Sequence, residues 1–261
     1  MPSERMRGLC ALVTGGATGI GRGIAEELLR AGCAVAIGGR QVDALEQAVG
    51  ELRAHHGGGV APAAGDVSTA SGAAEVVANA ARHLGALHVV VNNAGVGHQG
   101  PFDQITPEEI DQVVDVDLKG PMFVLQASLP HLRRHREAGT ASVLNISSSV
   151  TMIAIKNYAV YSAAKAGLDM LTRCLALELA ADRIRVNAVC PGVVETEIFE
   201  RMLGAERARA HLDAVRGFVP LGRIGQPADI ARIAVALCDP ENDWVTGAVV
   251  PVDGGLSLGP G

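Results

Sequence analysis

Aromatic side chains are scarce in this sequence and make up 3% of its 261 residues. A core must therefore be filled by aliphatic side chains, and a hydrophobic fraction of 48% supplies enough of them. Charged residues amount to only 19%, which argues against a disordered chain and against a coiled coil. The sequence predicts a single domain over residues 1–261, a length that one α/β domain can accommodate.

Positive charge is also in short supply, because 22 basic residues face 28 acidic ones and the net charge is −6. No long basic run is present, so binding to nucleic acid is not expected. The five cysteines form no CxxC pair, and neither they nor the eight histidines have the spacing of a disulfide framework or a metal site. We therefore expect a reduced, cytoplasmic protein without a bound metal ion.

A long hydrophobic run is missing as well. The longest uncharged stretch, residues 138–155, is interrupted by Gly139 and by three consecutive serines, whereas a membrane-spanning helix needs about 20 mostly apolar residues. The apolar run near the N-terminus is too short for a signal peptide. No membrane association is predicted.

The chain does contain a regular alternation of short apolar runs with segments of helical periodicity. The apolar runs cover residues 10–15, 34–39, 59–67, 86–95, 142–147, 183–192 and 247–255. Buried strands that alternate with helices form a parallel sheet covered on both faces. The pattern predicts a doubly wound, Rossmann-type α/β fold of about seven strands, whose ligand crevice lies at the carboxyl ends of the strands.

Two long helices are predicted, over residues 107–136 and about 158–180. Thr106 is a candidate N-cap for the first of them, with proline and acidic residues in its first turn. The second helix carries a row of leucines at helical spacing: Leu168, Leu171, Leu175 and Leu179. This row fits either a subunit contact or packing on the helix's own sheet.

A glycine-rich turn joins the first predicted strand to the first predicted helix, in the segment TGGATGIG over residues 14–21. Glycines allow backbone amides to approach a pyrophosphate closely, and the amino end of the following helix favours its negative charge. The spacing TGxxxGxG differs from the common GxGxxG. Because the turn follows a strand and opens a helix, we interpret it as a phosphate-binding loop rather than a purely structural turn.

Tyr161 and Lys165 lie four residues apart on a predicted helix and therefore share one of its faces. A tyrosine with its ordinary pKa near 10 is a poor base at neutral pH, and a neighbouring ammonium favours the phenolate. Lys165 can therefore lower the pKa of Tyr161, although a surface pair that covers the helix is the alternative. Tyr158 has Ser162 rather than a lysine four residues on, so we interpret it as a substrate-pocket or packing residue.

In their order along the chain, these motifs resemble those of the short-chain dehydrogenase/reductase family. The chain has segments similar to the family's cofactor loop, NNAG segment, catalytic serine, YxxxK pair and PGxxxT segment. In that order, they are residues 14–21, residues 92–95, Ser148, Tyr161 with Lys165, and residues 191–196. The resemblance extends over nearly the whole chain.

The resemblance implies hydride transfer between a nicotinamide cofactor and a carbonyl or secondary alcohol, without a metal. It implies that Tyr161 donates or accepts the hydroxyl proton, that Lys165 lowers the pKa of Tyr161 and holds the nicotinamide ribose, and that Ser148 orients the substrate oxygen. The implied cofactor-binding residues are Gly15, Thr18, Gly19, Ile20, Gly21, Asp66, Val67, Asn93, Ala94, Gly95, Tyr161, Lys165, Pro191, Gly192 and Thr196. For Asp66, capping of the following helix is an equally good interpretation.

One position departs from the family pattern. Where the family carries an asparagine that helps to hold a water beside the lysine, largely through its backbone carbonyl, this sequence has Asp117. An aspartate keeps the backbone and the shape, but it loses the amide donor and can add a charge near Lys165. Asp117 is therefore a candidate catalytic residue, and the alternative function is a cofactor-binding regulatory or scaffold protein with little turnover.

The end of the second predicted strand indicates the cofactor. An acid at this position would bind the ribose hydroxyls and repel a 2′-phosphate, but the position holds Gly39, and Arg40 follows it. Glycine leaves room for the phosphate and arginine can clamp it. The sequence predicts NADP(H) rather than NAD(H), although a solvated Arg40 at a helix start is the simpler alternative.

The substrate is less well defined. Residues 196–220 have no obvious partner strand and are interpreted as a substrate lid. Its candidate apolar cover consists of Ile198, Phe199, Met202, Leu203 and Phe218. A 3-oxoacyl thioester, a cyclic ketone and a sugar or polyol all remain open, with a slight preference for a small ketone or acyl substrate. The family resemblance also implies a homotetramer.

Overall fold

The computed structural model describes residues 5–259. Within them, seven parallel strands form one sheet in the order β3-β2-β1-β4-β5-β6-β7. The strands are β1 Cys10–Thr14, β2 Ala34–Gly39, β3 Val60–Ala64, β4 Val89–Asn92, β5 Ser142–Ile146, β6 Arg185–Pro191 and β7 Val249–Val252. Each lies inside the apolar run that predicts it, and the doubly wound fold is confirmed.

Helices cover both faces of the sheet. They are α1 Gly19–Arg30, α2 Val42–His56, α3 Ala70–Leu84, α4 Pro107–Val114, α5 Gly120–Leu132, α6 Ala159–Glu178, α7 Glu197–Leu203, α8 Ala205–Arg216 and α9 Pro227–Cys238. Ile24 and Leu28 of α1 meet Ile230 of α9 in one apolar cluster. Val76 of α3 and Leu125 of α5 belong to the cluster on the other face. Each fully buried side chain of this kind contributes about 2 kcal/mol to folding.

Strand β3 contains a proline because it lies at the edge of the sheet. Pro62 pairs with Ile37 of β2 on one side, and no strand lies on the other side within residues 5–259. An edge strand tolerates the missing N–H donor that would break the ladder of a central strand.

The segment predicted as one helix over residues 107–136 is interrupted by a π-helical turn, Asp115–Lys119, between α4 and α5. In a regular helix the carbonyl of Asp117 would accept the N–H of residue 121, but Pro121 has none. Helical backbone thus runs through the predicted range without a break, but it is not one regular α-helix. Turns of this kind are frequent at functional sites, and this one holds a candidate catalytic residue.

The leucine row of α6 packs on the helix's own sheet. Leu168 and Leu179 are buried in the core, and Leu175 packs against it. The large hydrophobic side chains that α6 leaves exposed are Met170 and Leu177, at 54% and 82% exposure. Leu168, Leu175 and Leu179 thus pack on the core, as one of the two interpretations expects, whereas Leu171 is half-buried.

The predicted lid, residues 196–220, contains α7 and α8, which follow β6 and cross above the carboxyl edge of the sheet. Among residues 5–259, no helix is both long enough and apolar enough to cross a membrane.

Candidate active site

A cavity of about 600 Å³ opens at the carboxyl ends of the central strands. Most of the predicted site residues line it: Gly15, Thr18, Gly19, Ile20, Asn93, Ala94, Gly95, Asp117, Ser148, Tyr161, Lys165, Pro191, Gly192 and Thr196. Four predicted cofactor residues do not line it, namely Gly21, Arg40, Asp66 and Val67. The fold thus brings together motifs that are up to 181 residues apart (196 − 15) in the sequence.

The glycine-rich turn is held in a conformation that side chains would disturb. Gly15 and Gly19 have φ angles of 63° and 55°, in the left-handed region that favours glycine. A Cβ on Gly15 would also lie 3.0 Å from the Cα of Ala94. Gly21 is buried beneath the turn, where a Cβ would collide with the amide of Asn93, so its role in this structure is packing rather than lining the cavity.

Thr14, the last residue of β1, ties this turn to the NNAG segment. Its hydroxyl accepts the N–H groups of Asn93 and Ala94 at 3.0 and 3.1 Å, and the side chain of Asn93 donates to the carbonyls of Thr14 and Gly15. This role of Thr14 is not among those predicted from the sequence. Its place beside a glycine turn was the available signal, but the partners 79 residues away follow only from the fold.

These features fit a dinucleotide. The turn exposes backbone to the cavity at the amino end of α1, where N–H groups favour phosphate. Pro191 and Gly192 at the end of β6, together with Thr196, line the neighbouring part of the cavity. Within the described residues no cluster of potential metal ligands is present.

Ser148, Tyr161 and Lys165 converge at the floor of the cavity. The Lys165 ammonium lies 5.7 Å from the centre of the Tyr161 ring and donates to the carbonyl of Ile146 at 2.9 Å. Ser148 lines the same cavity and lowers the pKa of the Tyr161 hydroxyl. The neighbouring serines are buried, and the Ser147 hydroxyl donates to the carbonyl of Lys165 at 3.4 Å. Ser147 therefore supports α6, through a contact that joins residues 18 positions apart in the sequence.

The pKa of Tyr161 is raised above its ordinary value of 10 in the protein alone. Burial is the main cause, and the carboxylate of Asp117 adds to it. The Lys165 ammonium lowers the pKa, as expected, and so does the hydrogen bond with Ser148, but together they do not outweigh burial. The phenol is therefore the form that the protein itself favours.

Asp117 lies under the NNAG segment, with its side chain fully buried. Its Oδ1 atom is 3.4 Å from the Lys165 ammonium and accepts the N–H of Val96 at 3.2 Å. A Cβ on Gly95 would approach this oxygen to 2.6 Å, so only glycine leaves room for the carboxylate. The carboxylate of Asp117 thus forms an ion pair with Lys165.

Arg40 and Asp66 lie beside each other at the carboxyl ends of β2 and β3, with Nη1 and Oδ2 3.9 Å apart. Asp66 also accepts the N–H of Ser68 through its side chain. The N-cap of α3 is Thr69, whose hydroxyl accepts the N–H of Gly72. Asp66 is therefore a turn residue, and the helix-cap interpretation is wrong.

The lid covers the cavity with apolar side chains. Ile198, Phe199 and Met202 of α7, together with Phe218, line its upper part. The sulfur of Met202 lies so close to Gly97 that a Cβ there would collide with it. The Phe199 ring is 5.3 Å from that of His211 on α8. Leu203, also predicted to belong to the apolar cover, has a side chain outside the described part of the structure.

Comparisons with known proteins agree with this geometry. The family model described as enoyl-(acyl carrier protein) reductase matches residues 15–257. Versicolorin reductase 1 of Aspergillus parasiticus is 33% identical over 97% of this chain and 98% of its own length. A 3-oxoacyl-(acyl-carrier-protein) reductase of Thermotoga maritima is 34% identical over 97% of this chain and 100% of its own length.

A similar solved structure is the 3-ketoacyl-(acyl-carrier-protein) reductase of Brucella melitensis complexed with NADH. It superposes with a TM-score of 0.87 at 31% identity, over 97% of this chain and 99% of that protein. The likeness thus extends over the whole sheet and its helices.

Proposed function

Because this chain belongs to the short-chain dehydrogenase/reductase family, we propose that it is an NADPH-dependent ketoreductase with Tyr161 as proton donor. The observation that carries the proposal is the convergence of Ser148, Tyr161 and Lys165 in one cavity with the glycine-rich turn. Tyr161 is the side chain best placed to exchange a proton with a substrate oxygen, since Ser148 and Lys165 flank it.

Each residue of this group has a separate task. Ser148 orients the substrate oxygen toward Tyr161, and its hydroxyl stabilises the charge that develops there. Tyr161 gives its proton to that oxygen during reduction and takes it back during oxidation. Lys165 stabilises the phenolate that remains and is placed to hold the nicotinamide ribose. A bound nicotinamide supplies the hydride chemistry.

The proposed preference for the phosphorylated cofactor rests on Gly39 and Arg40. No acid stands at Gly39 to repel a 2′-phosphate. The guanidinium of Arg40 is 62% exposed and can turn from Asp66 toward an anion. A charge-assisted hydrogen bond of this kind contributes about 1.5–3 kcal/mol.

The proposed substrate is a small ketone or an acyl compound with an apolar body. Phe199, Met202 and Phe218 offer no hydrogen bonds to the several hydroxyls of a sugar or polyol. Among the described side chains that line the cavity, Lys165 is the one lysine and no arginine is present. A charged group of the substrate would therefore have to project out of the cavity.

A homotetramer remains part of the proposal, on the analogy with the family. The exposed Met170 and Leu177 of α6 are the apolar side chains that such a contact would cover. Light scattering tests this, and a 27 kDa monomer at micromolar concentration would contradict it.

The function is tested by following the absorbance of NADPH with a panel that contains a cyclic ketone, a simple 3-oxoacyl thioester and a sugar. We expect turnover of the ketone or the thioester at a rate well above that of the sugar. Binding of NADPH without turnover of any compound would favour the scaffold alternative instead.

A further inference from the structure

The carboxylate of Asp117 is a buried charge beside the proposed catalytic group. We propose that Asp117 is a positioning residue whose negative charge offsets the positive charge of the Lys165 ammonium. Asp117 thereby keeps Tyr161 protonated at neutral pH, and a protonated Tyr161 is suited to carbonyl reduction. The inference rests on the proposed function, because it concerns the proton that Tyr161 exchanges.

Burial raises the pKa of the Asp117 carboxyl group, but the contacts of the group favour its ionised form and work against that rise. The described groups within bonding distance are the Val96 N–H and the Lys165 ammonium, and both are donors. A protonated carboxyl would need an acceptor for its own hydrogen. The ion pair is also almost free of solvent, since the side chains of Asp117 and Lys165 are 0% and 5% exposed. A buried pair of this kind is screened far less than a surface pair.

The charges around Lys165 come from two elements. Asp117 approaches it from the π-helical turn, and Asp169 lies one turn further along α6. Asp169 is directed toward the thiol of Cys190 on β6, with Sγ and Oδ1 3.9 Å apart. Both carboxylates favour the ammonium, so the pKa of Lys165 is raised although burial works against it.

The groups that face Tyr161 explain how Asp117 acts on it. Lys165 alone would draw the phenol toward its anion, but the carboxylate of Asp117 opposes that effect. The Cys190 thiol is uncharged at neutral pH, because burial raises its pKa to about 11. Tyr158 faces Tyr161 with its rings 6.4 Å apart and is also neutral, since burial raises its pKa. Among the described groups around Tyr161, the Lys165 ammonium and the Asp117 carboxylate are thus the two charges that act on its pKa at neutral pH.

The protonation state of Tyr161 decides which direction the site serves. In reduction, the substrate oxygen gains the proton of the Tyr161 phenol, while a bound NADPH would supply the hydride to the carbonyl carbon. In oxidation, the phenolate must take the hydroxyl proton as the carbon loses its hydride. A Tyr161 that holds its proton is ready for the first reaction and has to be deprotonated before the second.

The chain allows a direct measurement, because it has only two tyrosines. In a Tyr158→Phe background, the ultraviolet absorbance of phenolate reports the titration of Tyr161 alone, without turnover. We expect its midpoint above 10 and a decrease of at least about one pH unit, tenfold in proton affinity, on adding Asp117→Asn. Asp115→Asn is the matched control, because this carboxylate lies in the same turn but bonds to Lys119 at the surface, 2.8 Å away.

A second readout is the pH profile of kcat/KM for alcohol oxidation in the protein with both tyrosines. Asp117→Asn should shift the alkaline rise to lower pH by about the same amount, whereas Asp115→Asn should leave it in place. Circular dichroism checks that the Asp117 variant is folded. If it is, an unchanged or higher midpoint of the Tyr161 phenolate titration would overturn the inference. The phenolate titration is independent of activity, so it separates this inference from the proposed function.

Discussion

The carboxyl edge of the sheet, where the strands end, and the amino edge, where they begin, use buried basic side chains in different ways. At the carboxyl edge, Lys165 lies between a carboxylate and a phenol, and its charge can change the chemistry of both. At the amino edge, Arg185 is 6% exposed and donates only to backbone carbonyls at the end of α9 and beyond, including those of Leu237 and Cys238. The first arrangement places ionisable groups around a cavity, and the second satisfies the end of a helix.

The amino edge also contains a buried histidine without a carboxylate. His88 accepts the N–H of Cys10 through Nδ1 at 3.0 Å, and its ring lies 3.8 Å from that of His135. Burial and the neighbouring imidazole lower its pKa to about 4. The comparison suggests that the amino edge serves stability and that the carboxyl edge serves catalysis.

The largest effect is expected when Lys165 is removed. Lys165→Met leaves the Asp117 carboxylate buried and unpaired, so the free energy of unfolding at neutral pH should decrease by about 3–5 kcal/mol. Adding Asp117→Asn should restore most of this stability, measured by chemical denaturation. The double variant should remain inactive, because Lys165 is still missing. A Lys165→Met protein as stable as the unmodified one would contradict the buried ion pair.

Acid should lower the stability that the amino edge provides. Since the folded pKa of His88, about 4, is below the unfolded value near 6.5, the unfolded chain binds more protons between these values. The contribution of neutral His88 to the free energy of unfolding is therefore complete above about pH 6.5 and is lost as the pH falls to about 4. The loss can reach about 3 kcal/mol.

His88→Asn is the control for this acid effect, because an asparagine oxygen can still accept the Cys10 N–H but does not titrate. Denaturation curves at a series of pH values should be flatter for this variant than for the unmodified protein. An equally steep acid dependence in both would assign the effect to other groups.

A smaller effect is expected from Arg40→Ala. The unmodified protein should use NADPH with a kcat/KM at least about tenfold above that for NADH, and the variant should lose most of that preference. Adding Gly39→Asp should reverse the preference. Its Cβ would lie 3.3 Å from Cδ2 of Leu45, so the stability of the double variant has to be measured as well. Equal or better use of NADH by the unmodified protein would contradict the proposed cofactor.

The carboxyl edge was largely predictable from the sequence, because its signals are local. The glycine turn, the spacing of Tyr161 and Lys165, and the buried strands depend on residues close together in the chain. The alternation of apolar runs with helices then predicts that a cavity lies at the carboxyl ends of the strands, where it is found. The family resemblance implies cofactor binding for the glycine turn and proton exchange for Tyr161 with Lys165.

Features that depend on contacts between distant segments were not predictable. The ion pair of Asp117 with Lys165 joins residues 48 positions apart (165 − 117), and their distance follows from how the π-helical turn packs on α6. The turn itself has a local signal in Pro121, but the helical periodicity of the segment predicts a regular helix. The bonds of Thr14 and the packing role of Gly21 require the NNAG segment to be in place.

The most direct test of the account compares the unmodified protein with Tyr161→Phe. NADPH consumption is followed with the best ketone of the panel, and NADPH affinity is measured on both proteins by the quenching of its fluorescence. We predict that the variant binds NADPH with similar affinity but reduces the ketone about 10³-fold more slowly, because it has lost the proton donor. Comparable reduction rates in the two proteins would contradict the role assigned to Tyr161 and, with it, the mechanism proposed for this site.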